Sequence, residues 1–314
     1  MPNYQGVWSL STQYQNASGW PSPPGFIATH GGYTGSARID TIQLFTTATS
    51  NNATDFGDLS AARNTVSSYG NSTRALAAGG YNGSSIVNTI EFVTFSAGGN
   101  ATDFGDLNVA QMEGGTAGNE TRGIFAGGQD SSARTNIIEY VTVASSSNAT
   151  DFGDLTLARY ALGGMNSSTR AVFGGGSSST FDTLDYITIA STGNATDFGD
   201  MYDASPNYGA SSSSTRGVMA GGSSTTNDEV IQYITIASTG NSTDFGDLTA
   251  GTQSLSGGGD AISGFAIGGY DTSQTNKIEK FTFATTGNST DFGDLVTAVT
   301  LTCNSASSAH GGLS

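Results

Sequence analysis

The chain has 314 residues, 45 of them glycine and only 5 proline, and its formal net charge is −16 from 26 acidic against 10 basic residues. That balance argues against a nucleic-acid partner, whose phosphates it would repel, and a single cysteine, Cys303, excludes an intrachain disulfide. No apolar stretch reaches the ~18 residues of a membrane-spanning helix, so no membrane insertion is expected.

Residues 1–24 stand apart from the rest of the chain. Met1 to Leu10 has neither the basic region nor the apolar core of a secretory signal, so synthesis in a cytoplasm without one is expected. The segment carries Trp8 and Trp20. It reads either as an arm that docks on a neighbouring subunit or as a strap packed on its own domain.

From residue 25 onward the chain repeats. The octet Asn-(Ala/Ser)-Thr-Asp-Phe-Gly-Asp-(Leu/Met) carries Phe56, Phe104, Phe152, Phe198, Phe245 and Phe292, spaced by 48, 48, 46, 47 and 47 residues. Double glycines keep step at 31–32, 79–80, 127–128, 175–176, 221–222 and 268–269. Between each double glycine and the next octet runs an alternating stretch such as 88–95 or 182–189, the period-two signature of a strand.

Each repeat is expected to hold four strands. Strand a follows the octet (157–164 in one copy), and strand b (170–174) ends in the glycines. Strand c is the alternating run, and strand d contains Asp-Phe-Gly-Asp with its Phe turned inward. Four short strands per ~47 residues fit a propeller blade, so 25–314 is predicted to be all-β, a six-bladed β-propeller of four-stranded antiparallel blades. The first blade lacks a strand a of its own and the last octet is followed by a spare one at 296–303, which predicts ring closure by the C-terminal strand.

The double glycines and the blade length resemble those of the kelch-repeat propellers over roughly 25–303, with Phe where the kelch pattern has Trp in strand d. The octet resembles the repeated modules of virion and tail-associated proteins of marine cyanobacterial bacteriophages. That resemblance implies a structural role in a virion, as an extracellular particle, with other virion proteins as partners, through residues 1–24 if these form the arm and not the strap. Low charge and Gly/Ser/Thr richness suit such a particle. A secreted or surface propeller that binds carbohydrate is the alternative, and a cofactor-free enzyme comes third.

The motifs admit bland readings beside sharper ones. Asp-Phe-Gly without a phosphate loop or a His-Arg-Asp loop is not the kinase motif, and a structural strand is expected. The paired aspartates (Asp55/Asp58, Asp103/Asp106, Asp151/Asp154, Asp197/Asp200, Asp244/Asp247, Asp291/Asp294) either hold calcium with backbone carbonyls or accept N–H bonds in turns. The octet asparagine is formally a glycosylation acceptor, but its fixed place points to an Asx-turn between strands c and d. Arg74, Arg122, Arg170 and Arg216 are expected to pair across strands with Glu91, Glu139, Asp185 and Gln232; a ring of arginines about the channel is the alternative. With only His30 and His310 and no serine singled out, no catalytic residue is assigned and an enzyme is not expected.

The a–b and c–d turns are uniform, whereas the b–c loops differ from blade to blade. Recognition usually resides in variable loops on a rigid scaffold. The b–c face, with Tyr33, Tyr81, Gln129, Phe181 and Tyr270, is therefore the predicted binding surface for a host-surface glycan or receptor.

Overall fold

The computed structural model describes residues 25–177, 182–223, 229–301 and 303–313. The 1–24 arm or strap and Phe181 lie outside them. The described chain forms six antiparallel sheets in a closed ring, a six-bladed β-propeller.

The first blade is β25 (Ala306–Ser307), β1 (Phe26–Tyr33), β2 (Arg38–Thr46) and β3 (Thr54–Asp58). Blade two is β4 (Ser67–Gly70), β5 (Arg74–Ala78), β6 (Thr89–Thr94) and β7 (Thr102–Asp106). Blade three runs β8 (Gly115–Gly118), β9 (Arg122–Ala126), β10 (Ile137–Thr142) and β11 (Thr150–Asp154), and blade four β12 (Gly163–Asn166), β13 (Arg170–Gly174), β14 (Thr183–Thr188) and β15 (Thr196–Asp200). Blade five is β16 (Gly209–Ser212), β17 (Arg216–Ala220), β18 (Val230–Thr235) and β19 (Thr243–Asp247). Blade six is β20 (Ser256–Gly259), β21 (Ser263–Ile267), β22 (Lys277–Thr282) and β23 (Thr290–Asp294), with β24 (Cys303–Asn304) added in parallel beside β20.

Strand a begins later than the sequence indicates, at 163 where 157 was expected. The true inner strands, such as Gly-Thr-Ala-Gly and Ser-Gly-Gly-Gly, carry almost no apolar signal because they converge on the axis, where side chains have no room. A β-carbon on Gly164 would lie 2.2 Å from the Thr116 carbonyl oxygen of the adjacent blade.

Ring closure is likewise achieved by the C-terminus, through different residues from the expected 296–303. Ile27 and Ala28 pair with Ser307 and Ala306, while from 296–303 Thr300 makes a β-bridge to Tyr33 and Thr297 donates its N–H to Gln43 Oε1. The offset is the same one: the connection after the octet is spent on a loop that spans the seam before the inner strand starts.

Each octet phenylalanine sits in a β-bulge. Ile138 pairs with Gly153 and Glu139 with Asp151, which leaves Phe152 as the extra residue, and the other five blades repeat this. A bulge re-aims its side chain. The rings point into the seams, where Phe104, Phe152, Phe198, Phe245 and Phe292 are buried and Phe56 is half-buried. The core is accordingly six clusters, each joining two adjacent blades. The closing seam is no weaker in kind: Ile27 and Phe45 of blade one pack on Phe265, Ile278 and Phe292 of blade six.

Candidate binding face

Tyr33, Tyr81, Gln129 and Tyr270 occupy equivalent places, each the first residue after its double glycine and each half-buried. Their backbones are pinned by the chain that crosses the seam. Tyr81 bridges Asn64, Gln129 bridges Met112, Tyr270 bridges Gln253 and Tyr33 bridges Thr300. The four residues predicted from loop variety thus stand on one face, at the base of the b–c loops.

Loop tips among the described residues are capped from within. Asn82 Oδ1 accepts the N–H groups of Ser84 and Ser85, and Asp130 Oδ1 accepts those of Ser132 and Ala133. The N–H groups of Ser132 and Ala133 hold the Asp130 carboxyl below its usual range, and that of Thr272, before smaller contributions, does the same for Asp271. Short loops tied this way present their outer side chains in a fixed arrangement.

Two residues of this face were not singled out from the sequence. Arg38 lies over the rings of Tyr33 and Tyr81, 5.7 and 4.5 Å from their centroids, and its Nε donates to Asn64 Oδ1 at 2.8 Å. Arg134 lies 5.5 Å from the centre of Tyr160 beside an open depression of about 670 Å³ lined by Gln129, Asp130, Arg134 and Tyr160. The signal was present: both arginines end a Ser-Ala-Arg run five residues after Tyr33 or Gln129.

Elsewhere the charged positions are structural. Arg74, Arg122, Arg170 and Arg216 do not meet the strand c acids, because Arg74 stands opposite Thr94 and so shares a face with Phe92, while Glu91 points the other way. Each guanidinium covers an aromatic ring at 4.4 to 4.7 Å (Phe92, Tyr140, Tyr186, Tyr233). Each also donates to a carbonyl of the following blade, as Arg170 Nη1 does to Ile236 at 2.9 Å. They form neither the expected pairs nor a channel ring. Glu91 and Asp185 are paired instead by Arg63 and Arg159, at 2.6 and 2.9 Å in the buried seams.

The octet polar groups also hold seams together. Asp58, Asp106, Asp154, Asp200, Asp247 and Asp294 donate their backbone N–H to the octet asparagine of the next blade (Asn100, Asn148, Asn194, Asn241, Asn288 and Asn52) at 3.0 to 3.2 Å. The asparagine therefore serves a neighbour, where an Asx-turn of its own was expected. The first aspartate of each octet is exposed, and among the described residues no group of three acidic, His or Cys side chains is placed to hold a metal ion.

The axis is filled. Asn304 accepts from the N–H of Thr116 and Gly164 and donates to the carbonyls of Gly164 and Ala210, which ties three blades. His310 Nε2 lies 2.6 Å from the Gly70 carbonyl oxygen, and Nδ1 lies 2.9 Å from Asn166 Nδ2. A residual cavity of about 30 Å³, enough to admit ordered water, remains beside this tail.

His30 Nδ1 lies 3.1 Å from Ser68 Oγ, the kind of pair that can activate a nucleophile. Burial, followed by Arg63, pushes the His30 pKa down to about 3, so it is a poor base at neutral pH. Its Nε2 has no hydrogen-bond partner among the described residues, so no acid orients it. No family model and no curated protein matches the sequence.

Proposed function

We propose that this chain is a non-enzymatic structural protein of a phage virion, tail- or appendage-associated, that acts in assembly or host attachment through its b–c face. The observation that carries the reading is the division of the molecule. Six repeats are near copies at their seams and turns, the axis is filled by the chain's own tail, and variety is concentrated in capped b–c loops. A rigid ring with one differentiated face suits attachment. The likeness of the octet to modules of cyanophage particle proteins supports the virion setting.

The half-buried rings of Tyr33, Tyr81 and Tyr270 favour a second reading, a carbohydrate-binding propeller without a virion. Mass spectrometry of purified particles separates the two: the chain is expected at stoichiometric level, and its absence from particles overturns the virion setting. Replacing 81–85 and 129–134 by Gly/Ser loops, which removes Tyr81, Gln129 and Arg134, is expected to abolish attachment to host cells. Undiminished attachment overturns the role of the b–c face.

A further inference from the structure

The chain has only ten cationic side chains, all within the described residues. Seven are engaged inside the ring: Arg63 and Arg159 in buried ion pairs, Arg74, Arg122, Arg170 and Arg216 on aromatic rings and carbonyls, and Lys280 over Phe265 and Phe292. The remaining three, Arg38, Arg134 and Lys277, all stand on the b–c face. A molecule of net charge −16 thus places its three remaining cationic side chains on the one surface where its repeats diverge, with Arg38 and Arg134 stacked on tyrosines and Lys277 beside Asp271.

We propose that this face binds an acidic glycan, with Arg38 and Arg134 as two equivalent subsites for the carboxylate or sulfate groups of the sugar chain. The inference rests on the attachment reading. Arg38 is held by Nε on Asn64 and by the flanking tyrosines, while its two Nη groups have no hydrogen-bond partner among the described residues. A guanidinium fixed by its Nε side offers a planar fork to a two-oxygen anion. Space is kept open beside it: a β-carbon on Gly83, which has φ of +102°, would come within 3.3 Å of Nη1.

Arg134 stands at the equivalent loop position two blades on, stacked on one ring where Arg38 has two. Its guanidinium lies over Tyr160, its Nη2 makes only a long 3.5 Å contact with Ser177 Oγ, and it borders the open depression. Asp130 lies in the same depression, but its Oδ1 is turned into its own loop. Lys277 is partly neutralised by Asp271 at 3.9 Å and is given no role.

Sparse arginines flanked by tyrosines fit a polymer with widely spaced anions and apolar sugar faces. A nucleic acid calls for a dense basic stripe. Two subsites on one rigid face also favour a chain long enough to reach both, through effective concentration.

The test is calorimetric titration of the full chain with alginate oligomers (carboxylate), dextran sulfate (sulfate) and neutral dextran, using wild type, Arg38→Gln, Arg134→Gln, the double variant and Arg38→Lys. Binding of at least one polyanion and none of dextran is expected. Each Gln variant should lose about tenfold in affinity, and the double variant should lose binding. Arg38→Lys should also bind more weakly, because it keeps the charge but loses the fork and the stacking. Circular dichroism melts matching wild type establish that the variants fold.

The proposal is overturned if neither polyanion binds wild type, if dextran binds equally well, or if the double variant binds as wild type does. The two readings fail separately. Host attachment that survives the double variant but not the loop replacements removes the acidic glycan alone; attachment that survives both removes the attachment face itself.

Discussion

Arg159 and Asp185 are both fully buried, and the guanidinium also donates to the Thr183 and Phe173 carbonyls. An ion pair of this kind contributes little net stability against an apolar pair of equal size, yet removing one partner strands the other charge out of water. Arg159→Ala is therefore expected to cost about 3–5 kcal/mol, read as a loss in the midpoint of chemical denaturation. The double change Arg159→Met with Asp185→Leu should recover most of it; a single variant as stable as wild type would refute the account. The equivalent site in the preceding seam shows what the pairing avoids. There Gln111 replaces arginine, burial raises the Glu139 pKa, and Glu139 Oε2 and both Gln111 side-chain polar atoms lack partners among the described residues.

At the scale of the element, the octet is a latch between blades. Its second aspartate donates backbone N–H to the next blade's asparagine, and its carbonyl receives the N–H of the residue after that asparagine, as Ala195 donates to Asp154 at 2.8 Å. The glycine between Phe and Asp makes the approach possible: Gly153 has φ of +146°, and a β-carbon there would lie 2.5 Å from the Gly193 carbonyl carbon. Asn194→Ala removes one exposed hydrogen bond and is expected to cost about 1 kcal/mol. Gly153→Ala in the same seam must displace backbone, and its cost is expected to be at least about twice as large. Denaturation midpoints of the two variants decide it; equal losses would mean that the close approach does not constrain the seam.

For the whole molecule, the filled axis links stability to pH. Burial holds the pKa of His310 down to about 4 and that of His30 to about 3, so both are neutral in the fold. The unfolded chain takes up these protons near pH 6.5. The resulting penalty is absent above about pH 6.5 and grows as pH falls toward the folded values. Protonation of His310 at Nδ1 would also end its acceptance of the Asn166 and Gly312 N–H groups. Glu113 acts in the opposite sense: burial raises its pKa to about 7, so the cost of its charge is relieved as pH falls from about 7 toward 4.5.

Thermal melts between pH 8 and pH 5 should therefore show a fall below about pH 6.5 that steepens in Glu113→Gln. A melting temperature that climbs on acidification in Glu113→Gln would contradict the assignment.

Periodic features were legible because they are local and repeated. The blade count, the strand identities b to d, the inward phenylalanines and the variable loops follow from spacing and alternation, which the chain states six times. The partners of Arg74 and its equivalents, the octet asparagine and the closing residues depended on register and on the neighbouring blade. A shift of one residue turns a side chain to the other face, and contacts across a seam join residues about 40 positions apart, such as Asp154 and Asn194. Arg38 gained Tyr81 only when blades one and two packed together, and Asn304 its place on the axis only when the ring closed. Composition and repeat thus determined the module and its number; the tertiary structure alone decided which polar groups meet, because a hydrogen bond or a stacked cation depends on distances that no single repeat contains.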